Sequence, residues 1–164
     1  MNIRPATLAD IPFMMNLERE CATAGHWTEQ QYTQLFRVGE GGARRLALVA
    51  EAATNGESGR QAMPPARQGI LGFLIAHHIA REWELENIVV APTARQQGVG
   101  TRLLNALLAA AHETNGRLVF LEVRESNSDA RRLYEKAGFE QSGRRKSYYK
   151  DPLEDAILYR RTRP

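Results

Sequence analysis

The chain has 164 residues, a hydrophobic content of 43%, a charged content of 25% and a formal net charge of +3. That length suits one ordinary domain, residues 1–164, with room for a buried core, and the composition excludes a disordered or fibrous chain. No stretch approaches the roughly 18 apolar residues of a membrane span, residues 1–5 lack the apolar core of a signal peptide, and the single Cys21 excludes an internal disulfide; a cytoplasmic protein with no membrane partner is expected.

In chain order, residues 2–6 read as a short strand. Thr7 to Asp10 resemble a capping box with Asp in place of Glu, and Pro12 suits the first turn of the helix that follows. Phe13, Met14, Leu17 and Cys21 recur at helical spacing. Thr28, Glu29, Gln30 and Gln31 form a cleaner capping box, opening a second helix through Tyr32, Leu35 and Phe36, which Gly39, Gly41 and Gly42 stop. Three strand-like runs follow, at 45–51, 70–79 and 83–90, close enough in sequence to pair antiparallel. Residues 53–68, rich in Gly, Pro, Ser and Ala, read as a long hairpin insertion because strands flank them.

Beyond Pro92 a helix is expected over 98–112, with Leu103, Leu104, Leu107, Leu108 and Ala111 as its apolar stripe. Residues 117–123 read as a buried strand. Residues 126–129 cap another helix carrying Ala130, Leu133, Tyr134 and Ala137, which Gly138 ends. Two strands, at 143–149 and 154–161, complete the order β-α-α-β-β-β-α-β-α-β-β. Arg144, Arg145 and Lys146 beside Tyr148 and Tyr149 would suit stacking on single-stranded RNA, but a solvated edge strand explains them better, so no nucleic-acid partner is expected. His77 and His78 are adjacent on a strand and face opposite ways; no metal-ligand spacing surrounds them, and no metal is expected.

The chemistry concentrates in ENIVVAPTARQQGVG, residues 86–100. A strand ends, a Pro-containing turn follows, and Arg95, Gln96, Gln97, Gly98, Val99 and Gly100 open a helix. Two glycines let the backbone approach a ligand, and the unpaired N–H groups of a first helical turn suit a pyrophosphate. A triphosphate-binding GxxxxGK[ST] loop is absent. A dinucleotide fingerprint lacks its third glycine, since residue 103 is Leu, although Glu122 stands near where a ribose-binding acid would. The remaining reading is the R/Q-x-x-G-x-G/A loop that grips the pyrophosphate of coenzyme A.

On ENIVVAPTARQQGVGTRLL, LEVRESNSDARRLYEKAGF, RRKSYY with EDAILY, and HWTEQQY, the sequence resembles the GNAT acetyltransferases over nearly its whole length, and within them the bacterial ribosomal-protein-alanine N-acetyltransferases. The resemblance implies an α/β fold, a mixed, twisted sheet of six to seven strands flanked by about four helices, whose central parallel strands splay where acetyl-CoA enters. It implies that Ile88, Val89 and Val90 offer main-chain groups to the acetyl and pantetheine end. Gln96, Gln97, Gly98, Val99, Gly100 and Thr101 hold the pyrophosphate with Arg95 alongside, and Asn127 contacts the cofactor besides capping its helix.

The same resemblance makes Glu122 the base for the acceptor amine and Tyr134 the proton donor to the departing sulfur, with Tyr148 and Tyr149 lining the acceptor groove. On the residues alone, Glu122 also reads as a strand-end partner of Arg117 or Arg124, and Tyr134 as core. The acceptor implied is a protein N-terminus, that of a ribosomal protein in the resembled enzymes; a lysine, a small amine or a non-catalytic coenzyme A sensor stay open as alternatives.

Overall fold

The computed structural model describes residues 1–21, 27–36, 44–53, 69–162 and 164. Its elements are β1 (Asn2–Pro5), α1 (Ile11–Arg19), α2 (Glu29–Gln34), β2 (Arg44–Glu51), β3 (Ile70–Ile79), β4 (Glu82–Val90), α3 (Val99–Glu113), β5 (Leu118–Arg124), α4 (Ser128–Lys136), β6 (Glu140–Lys150) and β7 (Leu153–Thr162). That is the order expected from the sequence, with boundaries shifted by at most a few residues. Gly39, Gly41 and Gly42, and residues 54–68 of the expected insertion, lie outside the described residues.

Local chemistry accounts for the helix starts. The Asp10 carboxylate accepts from the Thr7 N–H at 2.8 Å, so aspartate does serve in the box ahead of α1. Burial by itself would raise the Asp10 pKa, but hydrogen bonds from Arg4 and Thr7 outweigh it and hold the carboxyl below its ordinary value. At α2, Thr28 Oγ1 accepts from the Gln31 N–H while Gln31 Oε1 accepts from the Thr28 N–H at 2.8 Å.

The strands form one seven-stranded sheet ordered β1-β2-β3-β4-β5-β7-β6. Only β4 and β5 run parallel; the other neighbours are antiparallel. The parallel pair needs a crossover, and α3 supplies it. Leu103, Leu104, Leu107, Leu108 and Ala111 pack on one face against Leu74, Leu85, Val119 and Leu121. The other face carries α1 and α2, whose Met14, Leu17, Tyr32 and Leu35 cover Val49, Phe73, Ile75 and Val89. Phe13, expected on the buried stripe of α1, is only half-buried; Glu18 is buried instead, at 2% exposure.

Gly72 of β3 marks how close the strands approach beside the site. A Cβ there would sit 2.6 Å from the Val89 carbonyl oxygen and 3.2 Å from Val99 Cγ1. Neither neighbour is the free end of a flexible chain. Gly72→Ala is therefore expected to destabilise the protein by about 1–3 kcal/mol, seen as a lower urea midpoint with unchanged slope.

Candidate active site

The parallel register of β4 and β5 ends at Leu85↔Leu121. Beyond it, β4 continues through Val90 and β5 through Arg124, so two strand ends run on without pairing to each other. A bulge falls here as well: Ala76 faces Leu85 and Ile75 faces Asn87, which leaves Glu86 as the extra residue. Burial raises the pKa of the Glu86 carboxyl, opposed by Arg45 at 3.4 Å.

Hydrogen-bond alternation fixes which main-chain groups face the gap. Ala91 N–H donates to Leu71 O at 2.8 Å, and the Val89 carbonyl approaches Gly72, so odd-numbered residues serve β3. Ile88 and Val90 then turn their N–H and C=O toward the β5 side. Of the three strand residues expected at the site, Val89 is thus the one whose main chain is spent on β3, and its side chain lies in the α1–α2 core.

The turn after β4 leads straight into α3. Gly98 caps α3 with φ +78°, and a Cβ there would meet nothing within 4 Å, so its open side is space rather than protein. Gln96 also has positive φ, +60°. The helix's first internal bond runs from Arg102 N–H to Gly98 O. The N–H groups of Val99, Gly100 and Thr101 therefore have no carbonyl of their own helix to bond, and they collect at its positive end. Gly100 lets α4 abut this turn: a Cβ would lie 3.1 Å from Leu133 Cδ2.

Two side chains of the loop bond within the protein. Gln97 Nε2 folds back to Thr93 O at 2.9 Å. The Arg95 guanidinium donates toward Cys21 Sγ at 3.3 Å, and that thiol lies 3.7 Å from the Val90 carbonyl. Cys21 is buried in the α1–α2 core, where that core reaches the gap's mouth.

On β5, Val119, Leu121 and Val123 face α3, so Phe120, Glu122 and Arg124 face the α1–α2 side. Glu122 ion-pairs with neither Arg117 nor Arg124. Its partner is Arg145 of β6, at 2.8 Å. Arg124 instead bonds the β6–β7 turn, at Asp151 O (3.0 Å) and Glu154 (3.3 Å), and its guanidinium lies 4.1 Å over the Tyr149 ring.

The β6–β7 register is irregular between Arg145 and Tyr149, where Ser147 has φ +51°. The irregularity brings two residues of odd spacing, Arg145 and Tyr148, beside one carboxylate: the Glu122 charge, followed by burial, raises the Tyr148 phenol pKa. Tyr148 and Tyr149 meet edge to face at 5.2 Å, and Tyr148 stays 45% exposed.

Tyr134 of α4 is 4% exposed, packed 6.0 Å from the Phe139 ring and 6.1 Å from the Tyr159 ring. Among the described residues its hydroxyl has no hydrogen-bond partner, and burial, then the Tyr149 phenol, raise its pKa. Asn127 is the N-cap of α4, its Oδ1 accepting from Ala130 N–H at 3.2 Å. His78 stacks on Trp83 at 4.5 Å, in keeping with a structural role. Among the described residues no group of three or more metal-ligating side chains converges.

Sequence reasoning missed the buried Glu18–Asn87 pair and the Arg145–Glu122 contact. Glu18 did carry a signal, an acidic residue between Leu17 and Cys21 on an apolar stripe. Arg145 carried none, because a bulge in a distant strand decides what it reaches.

Known proteins resemble this chain in sequence and in fold. Residues 11–139 match the model of the acetyltransferase (GNAT) family. A [ribosomal protein bS18]-alanine N-acetyltransferase of Haemophilus influenzae is 45% identical over 83 residues, 51% of this chain and 56% of that protein. The chain spans about half the length of the curated relatives it matches. The crystal structure of the ribosomal-protein-S18-alanine N-acetyltransferase from Escherichia coli superposes with a TM-score of 0.73 at 27% identity, covering 98% of this chain and 92% of that one. The Arabidopsis thaliana NAA60 structure in complex with acetyl-CoA shares the fold, with a TM-score of 0.79, 16% identity, and coverage of 98% and 97%. With a family model spanning most of its length, laid over two splayed parallel strands and an open helix N-terminus, the chain belongs to the acetyltransferase (GNAT) family.

Proposed function

We propose that this protein is an acetyl-CoA-dependent N-acetyltransferase whose acceptor is the N-terminal α-amine of a protein, of the ribosomal-protein-alanine type named in its relatives. The observation that carries the reading is the gap itself. Unpaired main chain on β4, free amides at α3 and a carboxylate on β5 meet around one opening in the sheet.

The residues present fit acetyl-CoA. The amides of Val99, Gly100 and Thr101 suit the pyrophosphate, the open side of Gly98 leaves room for it, and Ile88 and Val90 offer N–H and C=O groups to the pantetheine amides. Bound there, acetyl-CoA supplies an activated thioester. Arg95 adds positive charge at the mouth, held by Cys21 until a ligand competes for it.

Glu122 takes the proton from the acceptor's ammonium, directly or through water, exchanging its contact with Arg145 for the incoming cation. A terminal amine with pKa about 8 asks far less of this base than a lysine at about 10.4. Tyr134 keeps its proton at neutral pH because burial disfavours the phenolate, and it can deliver that proton to a thiolate leaving group. The ammonium loses two protons in becoming an amide: Glu122 takes the first and passes it to solvent, and the second restores the one Tyr134 gives the thiolate, so each transfer releases one proton. Among the described residues the thiol nearest the gap, Cys21, meets Arg95 and the Val90 carbonyl but no general base, so transfer is direct in a ternary complex.

Tyr148, exposed and next to Glu122, and Tyr149, under the Arg124 guanidinium, are the side chains we assign to an extended peptide acceptor. The test is thiol release from acetyl-CoA with Ala-starting peptides, the same peptides with blocked N-termini, lysine-bearing peptides and polyamines. Turnover on free but not blocked N-termini is expected. Turnover confined to polyamines or lysines would reassign the acceptor, and none at all would leave a coenzyme A-binding protein.

A further inference from the structure

Glu18 is an acid in the last turn of α1, 2% exposed, within an apolar cluster of Met14, Leu17, Tyr32 and Phe73. A carboxylate taken from water is costly unless hydrogen bonds replace its hydration, and apolar replacements at such sites are often neutral or stabilising. Simple packing is therefore a poor reason to place one here.

Its bonds suggest a better one. Glu18 Oε1 accepts from Asn87 Nδ2 at 2.7 Å, and Oε2 accepts from the Trp27 backbone N–H at 3.0 Å. One carboxylate thus joins α1, the residue leading into α2, and β4. Asn87 immediately follows the bulge at Glu86 and precedes Ile88, whose main chain faces the gap. Trp27 then packs on Tyr32 at 5.7 Å, and Tyr32 on Phe73 of β3 at 6.2 Å. This is also the face of the sheet on which Glu122 stands.

We infer that Glu18 is a positioning residue for the acceptor: through Asn87 and Trp27 it sets the spacing between the α1–α2 wall and the segment of β4 whose main chain faces the gap. The proposal rests on the acetyl-transfer reading for its kinetic consequence, but its structural half stands apart from that reading.

Two readouts separate them. Glu18→Gln leaves one acceptor oxygen in place of two, so Asn87 Nδ2 and the Trp27 N–H cannot both keep the bonds they make to the carboxylate. Hydrogen exchange at the Trp27 amide should quicken at least about tenfold while the melting temperature falls only slightly. In steady state, acceptor KM should rise about tenfold, the weight of one hydrogen bond to a charged group, with kcat and the KM for acetyl-CoA within about twofold.

Asn87→Ala should raise acceptor KM similarly, and the double variant should be no worse than either single one. It also carries the kinetic test if Glu18→Gln does not fold. Unchanged Trp27 exchange, an unchanged acceptor KM with lower stability only, or an equal rise in the KM for acetyl-CoA would each overturn the proposal. If the wild-type protein acetylates no amine, the acetyl-transfer reading fails by itself, and Trp27 exchange alone decides whether Glu18 anchors the wall.

Discussion

Tyr134→Phe lowers kcat by about two to four orders of magnitude, the usual weight of a positioned general acid, while the fold and the KM for acetyl-CoA stay near wild type. The structure makes this substitution unusually clean. The ring is buried against Phe139 and Tyr159, contacts a phenylalanine repeats, and the hydroxyl has no hydrogen-bond partner among the described residues. Removing it orphans no donor or acceptor, so stability should hold or rise slightly. A tyrosine with a packing role alone would instead keep its activity, since phenylalanine repeats the ring contacts. Thiol-release kinetics beside a thermal melt decides between them, and a kcat within threefold of wild type would remove Tyr134 from the chemistry.

Glu122→Gln is the second large effect, an expected loss of about 10²–10⁴ in kcat at neutral pH. Its cost to the fold should be small, because the Arg145 pair it breaks is half in solvent, with side chains 54% and 21% exposed. Pairs of that kind contribute about 0–1 kcal/mol. The diagnostic is pH. As pH rises past about 8, solution itself delivers more of the α-amine without its proton, so the deficit of the variant should shrink on a peptide acceptor. On a lysine acceptor the same recovery should come only near pH 10. A deficit that stays constant from pH 6 to 10 would mean that Glu122 orients the acceptor rather than deprotonating it.

Both predictions turn on how a short opening is made between two strands, and sequence legibility divides at that opening. The strand-to-helix unit of residues 82–113 was readable because its signals are local: β-branched alternation, a proline turn, a glycine at positive φ and a leucine stripe of helical period. Asn127 as an N-cap and Gly138 as a helix stop were readable for the same reason, since capping involves only residues three or four apart. Phe13 is only half-buried while Glu18 is buried, because periodicity places a residue on a face but does not say how far the neighbouring sheet extends over it.

What the sequence determined by itself is the order of elements, the two apolar layers and the loop suited to a pyrophosphate, all set by interactions within a few residues. Only the tertiary structure decided that β4 and β5 part after Leu85 and Leu121, that Ile88 and Val90 rather than Val89 face the gap, and that Arg145 rather than a neighbour in sequence meets Glu122. Those facts depend on strand register and on bulges at Glu86 and before Tyr149. Register is a joint property of two strands, fixed by the packing of both faces of the sheet at once, and no single stretch of chain encodes it.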